Sequence, residues 1–170
     1  GLGFLGFRAT MRTNWHDDTP SKPIISTVSK FDISRRGANI ENYTVLYHAS
    51  PYTEFAPTTY ISKSLLEYTP AANALQPNKV FKLQNIKSSQ FSGLDPSNSE
   101  TSTTYDSYSN PINVTTTVKE GSTTVQTSIT NLTYLPPTSA PYVVGRPASK
   151  TQTVSVSGDN TTSTETYTYS

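Results

Sequence analysis

Ile112-Asn113-Val114-Thr115-Thr116-Thr117-Val118-Lys119-Glu120-Gly121-Ser122-Thr123-Thr124-Val125-Gln126-Thr127-Ser128-Ile129-Thr130-Asn131-Leu132-Thr133-Tyr134-Leu135 is the stretch that decides the fold class. Threonine, valine, isoleucine and tyrosine suit the pleated surface of a sheet. Glu120-Gly121 supplies a tight turn between two such runs, which predicts a hairpin with arms Ile112 to Lys119 and Thr123 to Leu135. In the second arm Val125, Thr127 and Ile129 alternate with Gln126, Ser128 and Thr130, the pattern of a half-buried strand with one wet face.

Working outward, a second hairpin is expected from Thr151 to Ser157 and Thr161 to Tyr169 across Gly158-Asp159-Asn160, with Val154 and Val156 on one face and Tyr167 and Tyr169 sharing another. The prolines of Pro136-Pro137-Thr138-Ser139-Ala140-Pro141 donate no ladder bonds, so this segment reads as an extended crossover between sheets. Upstream, strands are expected at Ile24 to Phe31, at Asn42 to His48 with Tyr43, Val45 and Tyr47 on one face, and at Lys79 to Ile86. Tyr60 to Leu75 is ambiguous, because Ser64 and Glu67 form a capping box for a short helix that Pro70 stops. Ser88 to Asn110, rich in Ser, Thr, Asn and Asp, reads as a long surface loop or a ragged edge. Seven to nine short strands without a repeat predict an all-β chain, an antiparallel β-sandwich or jelly roll spanning 13–170, preceded by an N-terminal extension strand at 1–12.

Composition narrows the function. Of 170 residues, 23 are Ser and 28 are Thr, whereas only 15% are charged against a usual level of about 25%. A net charge of +1, with no basic run longer than Arg35-Arg36, gives no footprint for a nucleic-acid backbone. No window resembles a membrane-spanning helix. Eleven Tyr and six Phe supply core material that a disordered chain lacks. The chain starts at Gly1 with Met11 as its one methionine, and its Thr-, Ser- and Tyr-rich surface suits life outside cells, so a processed, extracellular protein is expected.

Catalytic parts are missing from the sequence. There is no cysteine, hence no thiol nucleophile, thiolate metal site or disulfide. His16 and His48 are the two imidazoles and neither has metal-type spacing, no Gly-x-Ser-x-Gly turn presents a serine, and Gly1, Gly3 and Gly6 are not a phosphate-binding loop. A non-enzymatic role with no required cofactor follows.

Candidate sites remain for ions, sugars and assembly. Asp17 and Asp18, within Asn14-Trp15-His16-Asp17-Asp18-Thr19-Pro20, offer adjacent carboxylates to calcium, although the same residues serve equally as turn caps. Asp95, Glu100 and Asp106 are a second calcium candidate. Sequons at Asn42, Asn113, Asn131 and Asn160 are glycosylation candidates, against about three expected by chance in so hydroxyl-rich a chain. Trp15, Tyr105 and Tyr108 could stack on sugars or simply pack.

The N-terminus carries the sharpest signal. From Arg8 onward Ala9 and Met11 oppose Arg8, Thr10 and Arg12, an ordinary strand with one wet face, whereas Leu2, Phe4, Leu5 and Phe7 make both faces apolar before it. An exposed strand of that kind invites aggregation unless covered. It either docks in its own fold or enters a groove in the next subunit, where backbone pairing and apolar pockets hold it. Such head-to-tail contacts propagate.

With Leu2 to Phe7 as a donor strand and hydroxyl-rich strands from Ile112 to Ser170, the chain resembles the subunits of archaeal extracellular filaments and tubes, the threads, bundling pili and cannulae. The resemblance implies a homopolymer built by donated strands, and, for cannula-like proteins, calcium-assisted assembly that draws attention to Asp17 and Asp18. A secreted carbohydrate-binding or adhesin module and a viral capsid or tail protein are the alternatives.

Overall fold

The computed structural model describes residues 7–13, 24–47, 59–70, 83–139 and 142–169. Every regular element among them is a strand: β1 (Ala9–Thr13), β2 (Ile24–Asp32), β3 (Ala38–Tyr47), β4 (Ser62–Pro70), β5 (Leu83–Ser92), β6 (Ser97–Tyr105), β7 (Pro111–Glu120), β8 (Thr123–Tyr134), β9 (Thr138–Ser139), β10 (Tyr142–Val143), β11 (Pro147–Val156) and β12 (Asp159–Thr166). Ten of them form one sheet in the order β1-β2-β3-β4-β5-β6-β7-β8-β11-β12, and β9 pairs with β10 separately. The all-β class expected from the sequence is therefore observed, as a single antiparallel sheet. The chain divides into two compact units, Gly1–Glu67 with Ser89–Asn98, and Tyr68–Ser88 with Ser99–Ser170.

The hairpins are closed by residues with the required backbone. Gly121, at φ 60°, opens the two-residue turn Gly121-Ser122 between β7 and β8, as a type II′ turn demands. Between β11 and β12 the turn is Ser157-Gly158, both at positive φ (51° and 94°), the type I′ geometry. It lies one residue earlier than Gly158-Asp159-Asn160, because β12 already pairs at Asp159 with Val156.

One ambiguity is resolved and two other expectations are corrected. The segment around Ser64 and Glu67 is strand β4 rather than a capped helix. Its register sets Lys63 opposite Tyr43 and Leu65 opposite Glu41, and this tertiary pairing overrides the local capping signal. Ser88 to Asn110 is not a long loop: β5 runs on to Ser92 and β6 follows, joined by a turn in which the Ser92 hydroxyl accepts from Leu94 and Asp95 N–H (3.2 and 3.3 Å) and Asp95 Oδ1 accepts from Ser97 N–H at 2.8 Å. The proline-rich segment after β8 is no crossover between sheets, since β11 pairs directly with β8 and β9–β10 is an excursion between them.

In the first unit the alternation reads as predicted. Val28, Tyr43 and Val45 are buried, with Met11 and Tyr60 packed against them, while Arg8, Thr10 and Arg12 are exposed. Tyr43 and Tyr60 meet edge to face at 6.1 Å between centroids. Gly93 sits so close to the backbone of Tyr60 that a Cβ there would lie 1.7 Å from the Tyr60 carbonyl oxygen. In the second unit β8 departs from its expected pattern. Val125 and Thr127 are half-buried, but beyond them the half-buried set is Ser128, Thr130, Leu132 and Tyr134, while Ile129 is exposed. The long arm therefore covers one face near its turn and the opposite face toward Tyr134.

Two outcomes check this packing. Val28→Ala removes two methyl groups from a site with no exposure and is expected to lower the unfolding free energy by about 1–2 kcal/mol in urea titrations. Ser157→Asn places a residue that tolerates positive φ in the type I′ turn and is expected to raise the thermal midpoint slightly.

Candidate functional site

Among the described residues the features that bear on function are two sheet edges, two faces and one charged cluster. At one edge lies β1, whose described neighbour is β2. The Arg8 carbonyl accepts from Phe31 N–H at 2.8 Å, so by strand alternation Ala9, Met11 and Thr13 aim their own N–H and C=O groups away from β2. Phe7, leading into this strand, is 66% exposed. At the other edge lies β12. Tyr167 N–H donates to the Ala148 carbonyl at 3.0 Å, which turns the backbone groups of Asn160, Thr162, Thr164 and Thr166 outward. All of β12 is exposed. Among the described residues no strand pairs with either outer edge.

The faces of β7, β8, β11 and β12 differ in chemistry. Register aligns Asn113 with Asn131, Thr151 and Thr164; Thr115 with Ile129, Thr153 and Thr162; and Thr117 with Thr127, Ser155 and Asn160. This hydroxyl face is laterally bonded: Asn113 Nδ2 donates to Asn131 Oδ1 at 2.8 Å, and the hydroxyl pairs Thr133–Ser149, Thr151–Thr164 and Thr153–Thr162 lie at 2.7, 3.3 and 3.1 Å. The opposite face carries Val114, Val118, Leu132, Val154 and Val156 among Thr116, Ser128, Thr130 and Gln152.

Three of the four sequon asparagines, Asn113, Asn131 and Asn160, share the hydroxyl face. Asn42 sits elsewhere, with its amide nitrogen donating to Asn39 Oδ1 (2.6 Å) and Ser64 Oγ (3.2 Å). Leu2, Phe4, Leu5, Trp15, His16, Asp17, Asp18 and His48 lie outside the described residues. Asp95, Glu100 and Asp106 are not gathered: Asp95 caps the β5–β6 turn, Glu100 pairs with Lys87 at 2.8 Å, and Asp106 binds the N–H groups of Tyr108 and Asn110, both at 2.8 Å. Among the described residues no group of three or more His, Cys, Asp or Glu could hold a metal ion. Nor is any described helix long and apolar enough to cross a membrane. Tyr105 donates to the Asn85 carbonyl at 2.8 Å, which fixes its ring in the sheet, whereas Tyr108 is exposed.

One cluster was not singled out from the sequence. Glu41 pairs with Lys30 at 2.8 Å and lies 3.6 Å from Lys63, and it accepts the Tyr43 hydroxyl proton. Both ammonium groups stand over the Tyr43 ring, 5.3 and 5.2 Å from its centroid. The signal was the spacing Glu41-x-Tyr43-x-Val45, which puts a carboxylate on the buried face of a strand. Burial pushes the Glu41 carboxyl up, but the bonds from Lys30 and Tyr43 and the two lysine charges outweigh it, so Glu41 titrates below the ordinary glutamate value. Burial first, then the bond to Glu41, holds the Tyr43 phenol above its usual range. The cluster ties β2, β3 and β4 together by charge.

No family model, curated protein or solved structure matches the chain.

The cluster gives the first unit an acid-sensitive term. A carboxyl depressed on folding stabilises the fold above its unfolded pKa and loses that contribution as pH falls through the folded one. Stability measured by denaturant titration is therefore expected to fall below about pH 4.5, and Glu41→Gln is expected to flatten that limb while lowering stability at neutral pH.

Proposed function

We propose that the chain is a structural, non-enzymatic subunit of a self-assembling extracellular filament or tube, polymerised by donation of its N-terminal strand. The observation that carries this reading is the pair of outer edges with which no described strand pairs. Residues Leu2, Phe4, Leu5 and Phe7 precede an edge strand, β1, and the chain's other edge, β12, presents an outward row of backbone donors and acceptors. Pairing a donated strand on such a row is heterologous and repeats from copy to copy. Four apolar side chains buried at roughly 1.5–3 kcal/mol each, added to the backbone bonds, are comparable with the cost of ordering a short tail.

The hydroxyl-rich, weakly charged surface supports the same reading, because like-charge repulsion between stacked copies stays small at a net charge of +1. Sugars attached at Asn113, Asn131 or Asn160 would all coat the hydroxyl face. Calcium held by Asp17 and Asp18 would assist assembly. The sandwich expected from the sequence belongs here too, as the arrangement in which a second layer covers one face of the sheet.

Negative-stain microscopy of the full chain, with and without calcium, beside a chain lacking residues 1–7, tests the proposal. Filaments or tubes are expected from the full chain and none from the truncated one. Monodisperse particles from both would mean that the N-terminal strand docks within its own fold.

A further inference from the structure

In strands β7, β8, β11 and β12 of the second unit most aliphatic side chains lie on one side of the sheet. Along the registered strands β7, β8, β11 and β12, Val114, Val118, Leu132, Val154 and Val156 share a face, with Ile112 in the same alternation. On the other face the aligned rungs carry Ile129 among threonine, serine and asparagine, and Val125 follows the same alternation at the register shift near the turn. Yet the aliphatic face is not closed over: Ile112 and Val156 are 39% and 46% exposed, and Val114, Val118, Leu132 and Val154 are only half-buried. A sheet buries an apolar face against another layer.

We propose that this layer is the same face of a second copy, so that two chains pack sheet on sheet into a two-fold sandwich. An isologous contact places the same patch on both partners, and aliphatic side chains meet their own kind without a conflict of charge. Its charges are few: Lys150 pairs with Glu165 at 3.3 Å within one rung, and Asp159 adds a negative charge at the turn. Its size suits the task. Four strands of 8 to 12 residues at about 3.3 Å per residue and 4.8 Å between strands cover roughly 600 Å² per copy. The pair would bury about 1,200 Å², at the threshold for a specific interface and above the size of incidental contacts. The central hydroxyls and amide do not oppose it, because Gln152 Nε2 already donates to Ser128 Oγ at 3.3 Å and Thr116 pairs with Thr101 at 2.9 Å. The hydroxyl face has no comparable apolar area to cover.

The contact uses no residue before Thr101 and is separate from strand donation: an edge contact extends a sheet and leaves both faces in water, whereas a face contact closes on itself. Either can fail without the other.

The cysteine-free chain allows a direct test. Gln152→Cys and Thr153→Cys in the full chain place a nitroxide label at neighbouring positions on opposite faces of β11. Sheets packed face to face lie about 10 Å apart, so the label at 152 is expected to be immobilised and dipolar-broadened by its counterpart. The label at 153 is expected to remain mobile and unbroadened. Adding Leu132→Lys should abolish the broadening at 152, while adding Thr151→Lys on the hydroxyl face should not, with circular dichroism showing the strands retained in both. Mobile, unbroadened spectra at both positions would overturn the proposal, as would broadening at 153 alone. Immobilisation at 152 without broadening would overturn it as well, assigning the cover to another segment of the same chain. Filaments that persist with Leu132→Lys would leave strand donation standing while the face contact is removed.

Discussion

Backbone pairing between strands that follow one another in sequence holds this molecule together. Apart from the β9–β10 excursion, each strand of the large sheet bonds to the one before it and the one after it. The registers are pinned by turns of defined hand and by bulges at Lys30/Phe31, Val118/Lys119 and Pro147/Ser149. Such a ladder places little demand on a large interior. Where a globular domain would bury side chains, the second unit bonds them sideways, Thr to Thr and Asn to Asn across adjacent strands, and each such pair adds only a fraction of a kcal/mol. The burial that does exist is concentrated in the first unit around Val28, Tyr43 and Val45, with the Lys30–Glu41–Lys63 cluster beside it.

This division explains why threonine is so abundant. Its branched Cβ favours the extended backbone whatever it faces, and its hydroxyl satisfies itself against a neighbour one strand away. A sheet built from it stays ordered and wettable on one side, while valine and leucine, placed at the intervening positions, make the other side more apolar. The two roles are interleaved residue by residue, so a register slip of one position would exchange them.

The same interleaving sets what could be read from the sequence. The hairpins at Gly121 and Gly158 and the buried alternation Tyr43-x-Val45 were legible because glycine at a turn and period-two apolarity act locally. The start of β5 falls within the strand expected at Lys79 to Ile86, but β6 leaves no such mark in the sequence: Ser97 to Tyr105 has no aliphatic residue to set a period, and its strand character comes from its neighbours in the sheet. β4 was ambiguous because Ser64 and Glu67 satisfy a helix rule that pairing with β3 outweighs. The Glu41 cluster was hidden because its two lysines arrive from strands separated by more than thirty residues. Of the candidate sites, the placement of Asn113, Asn131 and Asn160 on one face followed only once the register was known.

Sequential pairing also has a mechanical consequence. The chain enters the sheet at one outer strand and leaves it at the other, so tension applied between its ends loads the outermost ladders first and opens their bonds one after another rather than all together. Each strand of about ten residues peeled in this way releases roughly 33 Å of chain. A sheet of this order behaves as an extensible element that yields in strand-sized steps and re-forms by closing its nearest hairpin, a property that a long-crossover topology would not give.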